Sequence, residues 1–357
     1  MSEGVIPGRF RVAMTGDFST ADGSPRYRDL GLDIFQGHDF IEVRPIAEHR
    51  PELAPEQVGD AHGVIVLTPT VTARSVSQSE DLLAIGRFGV GYDAVDVPAC
   101  TEADVLVFIT AGAVDRSVAE ATIAWMLALT HHLRVKDELV RSGRWDERSR
   151  WMGREVRDRT LGVVGFGGIA RALVGLLAGF GMKPPLAYDP YVAPAVAQGL
   201  GARMVGLDEL LREADFVSIH CPLTPRTRGL IGARELALMK PDAYLINTAR
   251  GGIVDEDALF ELLSARRIAG AALDVFAEEP VVRPHRFGPL DNVLLAPHCI
   301  AWTDELFRDI GRAACRGMLD LALGRRPLGV LNPEVFDRPG FRRKWERLRA
   351  ARPGAAG

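Results

Sequence analysis

Short apolar runs alternate with helical stretches between about residues 160 and 300. The apolar runs are LGVVGF (161–166), PLAYD (185–189), DFVSIH (215–220), AYLINT (243–248), IAGAALDVF (268–276) and VLLAPH (293–298). Between them, apolar positions recur at helical spacing, as in LDELLREA and DEDALFELLSA. Apolar runs separated by helices are typical of a parallel sheet that is covered on both faces. We therefore predict an α/β fold for this part of the chain.

The first 110 residues repeat this alternation more weakly, in the runs RVAMTG, HGVIVLT, LLAIGRFGVG and DVLVFIT. Two long helical stretches follow elsewhere in the chain. Residues 118–143 carry a wide apolar face, which fits one helix packed between domains or across a dimer. Residues 302–327 predict a further helix, which we expect to return to the first domain.

This organisation predicts two domains and a tail. The length of 357 residues fits two domains. We expect one domain from residues 1–110 and 300–336, and a second from residues 111–299. The tail, residues 337–357, is basic and rich in Gly, Pro and Ala. It has no core pattern, so we expect a solvated helix or disorder there, with nucleic-acid contact as the weaker alternative.

Composition excludes several classes of function. The formal net charge is −4, which gives no general reason to bind nucleic acid or an anionic membrane. No apolar run is long enough for a membrane span, and the first residues lack a signal-peptide core. The four cysteines, Cys100, Cys221, Cys299 and Cys315, lie far apart. We interpret them as reduced thiols of a cytoplasmic protein without a metal site.

A glycine-rich turn follows the first strong strand. Gly165, Gly167 and Ala170 form a G-x-G-x-x-A pattern between that strand and a helix. Gly165 allows the tight turn, and Gly167 allows the backbone to approach a pyrophosphate at the helix N-terminus. The pattern predicts a dinucleotide site.

An acidic residue follows the next strand at the expected distance. Asp189 lies 19 residues after Ala170, where a carboxylate would accept hydrogen bonds from the adenosine ribose. The alternative is that Asp189 only opens the turn at Pro190. Asp189 would repel a 2′-phosphate, and no Lys or Arg occurs from 190 to 202. We therefore predict NAD (NADH) rather than NADP.

Charged and polar residues end several later strands. The residues are His220, Arg250, Asp274, Glu279 and His298. Each alone is more simply a solvated strand end. Ligands of an open parallel sheet, however, bind beyond the carboxyl ends of its strands. The collection of these groups at one edge, beside a dinucleotide site, therefore predicts an active site.

Six ordered stretches resemble the D-isomer-specific 2-hydroxyacid dehydrogenase family, which includes phosphoglycerate dehydrogenase and glyoxylate–hydroxypyruvate reductase. The stretches are VGFGGIA, AYDPYV, HCPLTPRTRGLIG, LINTARGG, AALDVFAEEP and LLAPHCIAWT. The resemblance implies two Rossmann-like domains, one flavodoxin-like (the substrate, or catalytic, domain) and one dinucleotide-binding, with an active-site cleft between them. It also implies an NAD-dependent oxidoreductase that interconverts D-2-hydroxy acids and 2-keto acids.

The resemblance further implies catalytic roles. Arg250 matches the substrate-binding arginine, Glu279 the family glutamate and His298 the acid/base histidine. Glu279 would orient His298, which would donate a proton to the keto oxygen. The small residues around Arg250 (Thr248, Ala249, Gly251 and Gly252) would leave room for cofactor and substrate.

Other positions match cofactor and substrate contacts of the family. Asp274 matches the contact with the nicotinamide amide, and backbone N–H groups at Val90 and Gly91 match the grip on the substrate carboxylate. The implied cofactor-binding residues are Val90, Gly165, Gly167, Gly168, Ile169, Asp189, His220, Cys221, Pro222, Thr248, Ala249, Arg250, Asp274, His298 and Ala301. The implied substrate-binding residues are Val90, Gly91, Arg250, His298 and Trp302. Cys299, Ile300 and Trp302 depart from the family pattern, so the preferred substrate stays open.

Two other functions remain open alongside the dehydrogenase. The resemblance extends to corepressors of the C-terminal-binding-protein type, which would make the chain an NAD-sensing scaffold. A dehydrogenase of an inorganic anion such as phosphite also fits these residues. Formate is disfavoured, because formate dehydrogenases carry glutamine where Glu279 stands. By analogy, we expect a homodimer formed through residues 118–143.

Overall fold

The computed structural model describes residues 8–78 and 80–350. The strands are β1 (Phe10–Met14), β2 (Ile41–Pro45), β3 (Gly63–Val66), β4 (Ala84–Arg87), β5 (Leu106–Ile109), β6 (Leu161–Val164), β7 (Leu186–Tyr188), β8 (Arg203–Met204), β9 (Phe216–Ile219), β10 (Tyr244–Asn247), β11 (Gly270–Leu273) and β12 (Val293–Leu295). The α-helices are α1 (Pro55–Val58), α2 (Val97–Glu102), α3 (Asp115–Thr130), α4 (Leu133–Arg141), α5 (Gly168–Leu176), α6 (Pro194–Gln198), α7 (Leu207–Glu213), α8 (Ala233–Leu236), α9 (Glu256–Ser264), α10 (Asp304–Ala322) and α11 (Pro339–Ala350). Short 3₁₀ helices lie at Gly16–Phe18, Leu32–Phe35, Trp145–Arg150, Leu177–Gly179 and Pro333–Asp337.

The chain divides into two compact units. The first unit holds the described residues up to Val114 and those from Thr303 onwards. The second unit is Asp115–Trp302. Within the described residues, no helix is long and apolar enough to cross a membrane.

The first unit contains a five-stranded parallel sheet in the order β2-β1-β3-β4-β5. This is the order of flavodoxin-like sheets. Strand β2 was not predicted, because its IEVRP sequence is half polar and it pairs only with β1 at the edge. Helix α10 belongs to this unit, and it packs near β4.

Residues 339–350 form a helix, which was one of the two alternatives expected for the tail, but this helix is not fully solvated. Helix α11 buries Phe341 completely, against Phe336 and Trp345. Lys344 Nζ donates to the carbonyl oxygens of Ala103 and Asp104, at 3.0 and 3.3 Å. Two aromatic residues four positions apart form a narrow apolar stripe, which the many arginines of this segment obscure in the sequence.

The second unit contains a seven-stranded parallel sheet in the order β12-β11-β10-β9-β6-β7-β8. If β6 to β12 are numbered 1 to 7, the order read from β8 is 3-2-1-4-5-6-7. This is the strand order 3-2-1-4-5-6 of doubly wound dinucleotide-binding domains with one strand added at the edge. Both faces are covered, because Leu210 and Leu259 pack in the core on one side while Leu173 and Met126 pack on the other. The strand order reverses between β6 and β9, and the ligand crevice of such sheets lies beyond that point.

The single helix predicted for residues 118–143 is two helices. Helix α3 ends at Thr130, and His132 adopts a left-handed conformation with φ of 52° before α4 begins. The Thr130 carbonyl oxygen accepts the Arg154 N–H at 2.9 Å rather than a helical partner. The donor comes from Arg154, 24 residues further along the chain, so apolar periodicity alone did not reveal the break.

Candidate active site

The glycine-rich turn lies at the switch point of the second sheet. Gly165 has φ of 93°, which favours glycine. A Cβ atom there would lie 2.7 Å from the backbone nitrogen of Cys221, which follows β9. At Gly167, by contrast, a Cβ atom would meet nothing within 4 Å. The turn therefore packs tightly against the β9 strand end and leaves open space at the start of α5.

A carboxylate that the motif did not predict also lies at this turn. A Cβ atom at Gly168 would fall 1.9 Å from Asp115 Oδ2, so this side of the turn is filled by the first residue of α3. Burial raises the pKa of Asp115, and the charge of Arg171 partly offsets that effect. A negative group thus stands beside the expected phosphate position.

Asp189 holds two backbone segments together. Its Oδ2 accepts the Phe166 N–H of the glycine-rich turn at 2.9 Å, and its Oδ1 accepts the Tyr191 N–H at 2.8 Å. The bond from Tyr191 closes the turn at Pro190, which was the alternative role considered for Asp189. The first contact ties the β7 end to the glycine-rich turn, where the ribose would lie next to the pyrophosphate.

Two buried polar atoms near this crevice lack a hydrogen-bond partner among the described residues. They are His220 Nδ1 and Thr248 Oγ1. The other imidazole nitrogen of His220 is 2.8 Å from Ser218 Oγ, and burial lowers the His220 pKa to about 4, so the ring is neutral near pH 7. Buried polar atoms without partners carry a free-energy penalty that a polar ligand would relieve. Together with the open space at Gly167, they fit a bound dinucleotide.

Arg250 lies on a turn that Asn247 closes. The Asn247 side chain, 2% exposed, accepts the Ala249 N–H at 3.1 Å and donates to the Arg250 carbonyl oxygen at 2.9 Å. The Arg250 guanidinium donates to the Ala249 carbonyl oxygen at 2.7 Å. The side chain of the last β10 residue therefore fixes the backbone that carries the arginine.

The reason predicted for the small residue Gly251 was wrong. A Cβ atom at Gly251 would lie 1.8 Å from the Phe276 carbonyl oxygen and 2.5 Å from the Ala277 nitrogen. The glycine allows the Arg250 turn to contact the segment after β11, rather than leaving room for a ligand. At Gly252, φ of 76° favours glycine.

Asp274 organises the backbone that carries His298. It follows β11, is 4% exposed, and its Oδ1 accepts the N–H groups of Cys299 and Ile300 at 2.9 and 3.1 Å. Its carbonyl oxygen accepts the His298 N–H at 2.8 Å. These three bonds hold His298 in a left-handed conformation with φ of 53°. Burial raises the pKa of Asp274 to about 6, although both backbone N–H groups act in the opposite direction.

Glu279 and His298 form a hydrogen-bonded pair. His298 Nδ1 lies 2.8 Å from Glu279 Oε2, and Glu279 Oε1 accepts the Phe276 N–H at 2.9 Å. Both side chains are partly exposed, at 33% and 45%. With Nδ1 engaged, Nε2 is the nitrogen of His298 that can exchange a proton with a ligand.

The environment keeps Glu279 ionised. Burial raises its pKa, but the hydrogen bonds from His298 and Phe276 and the positive charges of His298 and Arg250 outweigh burial. The net effect is a pKa below the ordinary glutamate value. Two carboxyl groups of one cluster, Asp274 and Glu279, are thus shifted in opposite directions, a pattern found at acid–base sites.

The structure brings many of the predicted site residues to the carboxyl edge of the second sheet. Ile169 is partly buried in the first turn of α5. Ala301 is buried and directly follows Ile300, whose N–H donates to Asp274. Pro222 is exposed after β9, and Trp302, the last residue of the unit, is 54% exposed.

Val90 and Gly91 belong to the first unit and follow β4. The preceding Gly89 has φ of 134° and is held by Thr110, which accepts its N–H through Oγ1 at 3.1 Å. Gly89 therefore shapes the backbone just before Val90 and Gly91. Within the described residues, no cluster of His, Cys, Asp or Glu is arranged to hold a metal ion.

Comparison with known proteins identifies the family. Residues 123–299 match the model described as D-isomer specific 2-hydroxyacid dehydrogenase, NAD binding domain. A glyoxylate reductase of Thermococcus litoralis is 36% identical over 288 residues, which cover 79% of this chain and 86% of that protein. The chain belongs to the D-isomer specific 2-hydroxyacid dehydrogenase family. The predicted cofactor, NAD(H), and the predicted α/β fold of two Rossmann-like domains are confirmed.

Other relatives differ from this chain in length. A D-3-phosphoglycerate dehydrogenase of Methanocaldococcus jannaschii is 39% identical over 279 residues, covering 78% of this chain and 53% of that protein. The chain thus spans about half the length of that relative.

A solved structure matches almost the full length of both chains. The solved D-lactate dehydrogenase of Aquifex aeolicus, in complex with NAD and lactic acid, has a TM-score of 0.74. It is 26% identical, and the match covers 88% of this chain and 96% of that one.

Proposed function

We propose that the protein is an NAD(H)-dependent dehydrogenase that interconverts a D-2-hydroxy acid and its 2-keto acid. The observation that carries the proposal is the pairing of Glu279 with His298 at 2.8 Å, on the same sheet edge as the glycine-rich turn. An ionised carboxylate that holds an imidazole is a recurrent acid–base arrangement.

We assign proton transfer to His298. Glu279 accepts a hydrogen bond from the Nδ1–H group of His298, which fixes the tautomer and the orientation of the imidazole. In the reduction, Nε2 donates a proton to the keto oxygen; in the oxidation, Nε2 removes the proton of the hydroxyl group. The rigid backbone set by Asp274 holds the imidazole in place while the proton moves.

We assign substrate binding to Arg250. A guanidinium presents several N–H donors in one plane, which match a carboxylate and the adjacent keto oxygen. The turn closed by Asn247 limits the movement of Arg250 and so reduces the entropy lost on binding. The backbone N–H groups of Val90 and Gly91, in the first unit, are also proposed to bind substrate.

We assign the cofactor to the crevice beyond β6 and β9. Gly165, Gly167 and the N-terminus of α5 would hold its pyrophosphate, and Asp189 its adenosine ribose. His220, Thr248 and Asp274 would face its nicotinamide end. When bound, NADH supplies the hydride that reaches C2 of the keto acid.

We also propose a homodimer formed through residues 118–143 together with the residues that follow them. Leu133, Val140, Trp145 and Met152 are each more than half exposed. Such a group of apolar side chains on one segment is typical of a protein interface. Light scattering at the mass of two chains supports this proposal, and a single-chain mass at every concentration contradicts it.

A substrate panel tests the catalytic proposal. NADH absorbance is followed with glyoxylate, hydroxypyruvate, pyruvate and 3-phosphohydroxypyruvate, and NAD reduction is followed with phosphite. Oxidation of NADH by at least one keto acid is expected. Activity with phosphite alone would move the proposal to an inorganic anion. Tight NADH binding without turnover of any compound would favour the NAD-sensing scaffold.

A further inference from the structure

The segment that carries Glu279 is held by a residue that the catalytic proposal does not use. This residue is Glu256, the first residue of α9. Its Oε1 accepts the Ala277 N–H at 2.6 Å. Ala277 is the neighbour of Phe276, whose own N–H donates to Glu279 Oε1 at 2.9 Å. Two hydrogen bonds, made by the consecutive N–H groups of Phe276 and Ala277, therefore link α9 to the acid–base pair.

The surroundings of Glu256 fix its direction. His285 Nε2 lies 3.8 Å from Glu256 Oε2, and the two side chains are 21% and 17% exposed. The His285 ring packs between Phe276, at 4.7 Å, and Phe287, at 5.1 Å. The carboxylate is thus set between a histidine and a backbone N–H of the same segment, and it is largely removed from water.

Gly251 also contacts this segment. The Phe276 carbonyl group and the Ala277 nitrogen lie against the Gly251 Cα, where no side chain fits. The segment after β11 is therefore held both by the Arg250 turn and by Glu256. A shift of this segment would change the distance of Glu279 both from His298 and from Arg250.

We propose that Glu256 is a positioning residue for the acid–base pair: by accepting the Ala277 N–H, it holds Glu279 at hydrogen-bond distance from His298. This inference rests on the proposed function for its catalytic consequence, but its structural content does not require turnover. A role limited to the stability of α9, or to the negative charge of Glu256, is the alternative.

Two substitutions separate position from charge. Glu256→Asp keeps the charge but shortens the side chain by one methylene group, so the contact with Ala277 is lost. Glu256→Gln removes the charge but keeps an oxygen that can accept the same N–H. Glu261→Ala, an exposed glutamate on the same helix, is the matched control.

The measured quantity is the titration midpoint of the Glu279 carboxyl carbon by NMR, assigned through its loss in Glu279→Gln. If Glu256 positions the segment, Glu256→Asp loses the hydrogen bonds that lower the Glu279 pKa. The midpoint then rises by about half a unit or more, whereas Glu256→Gln and the control stay near wild type. If only charge matters, Glu256→Gln lowers the midpoint and Glu256→Asp leaves it unchanged, which overturns the proposal.

Kinetics supply the second readout. Glu256→Asp is expected to lower kcat about tenfold with KM changed less than about twofold, and Glu256→Gln is expected to retain wild-type kcat. A drop in melting temperature with unchanged midpoint and kcat would show a purely structural role and would overturn the proposal. If no keto acid is turned over by the wild type, the proposed function fails, while the titration still decides the role of Glu256.

Discussion

At the β6, β7 and β9 end of the second sheet, the site consists mostly of backbone and glycines, with the carboxylates of Asp115 and Asp189 beside the glycine-rich turn. His220 Nδ1, which follows β9, is buried without a partner among the described residues. At the β10, β11 and β12 end, ionisable groups contact one another, as in Glu279 with His298. The first end is built to receive a polar ligand, whereas the second end is already internally paired. Cofactor binding and proton transfer should therefore respond separately to substitution.

The largest expected effect is on turnover at the paired end. His298→Ala should lower kcat/KM by about 10³-fold, because general acid–base groups contribute of that order. Arg250→Ala should lower it by about 10²-fold through lost charge-assisted hydrogen bonds. Both variants should bind NADH within about threefold of wild type by fluorescence titration.

The exposed histidine His131 provides the control for this experiment, since His131→Ala should leave kcat/KM unchanged. A parallel loss of NADH affinity and turnover in His298→Ala would show that the two ends of the sheet act as one unit.

The second effect concerns the ligand-receiving end. Gly165→Ala should destabilise the protein by about 3 kcal/mol, because it combines a positive φ with a collision against Cys221. Urea denaturation measures the change. Gly175→Ala in α5 is the matched control: a Cβ atom there meets nothing within 4 Å, so a small stabilisation is expected. Equal effects at the two glycines would contradict the role given to the turn.

The third effect is a pH dependence at the paired end. The Asp274 pKa is raised to about 6 from 3.8, so ionisation is disfavoured in the folded state. Stability should fall by on the order of 3 kcal/mol as pH rises from about 4 to 6, and should then stay level. Asp274→Asn should remove this fall while keeping the two backbone hydrogen bonds.

Glu279→Gln should behave in the opposite way. The Glu279 pKa is lowered, so Glu279 stabilises the folded state above its unfolded pKa and this contribution is lost as pH falls. Unfolding free energies of wild type and both variants, measured from about pH 2 to 8, check the two signs. If the two substitutions changed the pH slope of the unfolding free energy in the same direction, the opposite pKa shifts of Asp274 and Glu279 would be contradicted.

The smallest effect concerns the carboxylate beside the glycine-rich turn. Asp115→Asn should tighten NADH binding by roughly threefold at low salt, because it removes a negative charge next to the pyrophosphate. Adenosine has no phosphate, so its binding should not change. Calorimetric titration of both ligands measures the difference, and tighter binding of adenosine as well would point to a cause other than charge.

The sequence predicts the parts of the structure that depend on local signals. The six strong strands of the second unit appear as apolar runs, and Arg250, Asp274 and His298 stand just beyond them. The edge strand β8 was missed, because Arg203 and Met204 are neither buried nor apolar enough to form a run. The packing of Phe341 was missed because arginines surround it.

Other features depend on contacts between distant positions, which spacing does not encode. Asp115 meets Gly168, and Glu256 meets Ala277, across 53 and 21 residues of sequence. Gly251 looked like room for a ligand, although it is required by the carbonyl group of Phe276. The polar residue Asn247 at a strand end is the one signal that could have indicated the closed Arg250 turn.

Transfer of deuterium tests the central claim most directly. The protein is mixed with NADH deuterated at the transferable C4 position and with the best keto acid of the panel. The product is then analysed by chiral chromatography and mass spectrometry. The account predicts the D-2-hydroxy acid with the deuterium at C2, and a rate of formation about 10³-fold lower in His298→Ala with bound NADH. An L-product, an unlabelled C2, or an undiminished rate in His298→Ala would contradict it.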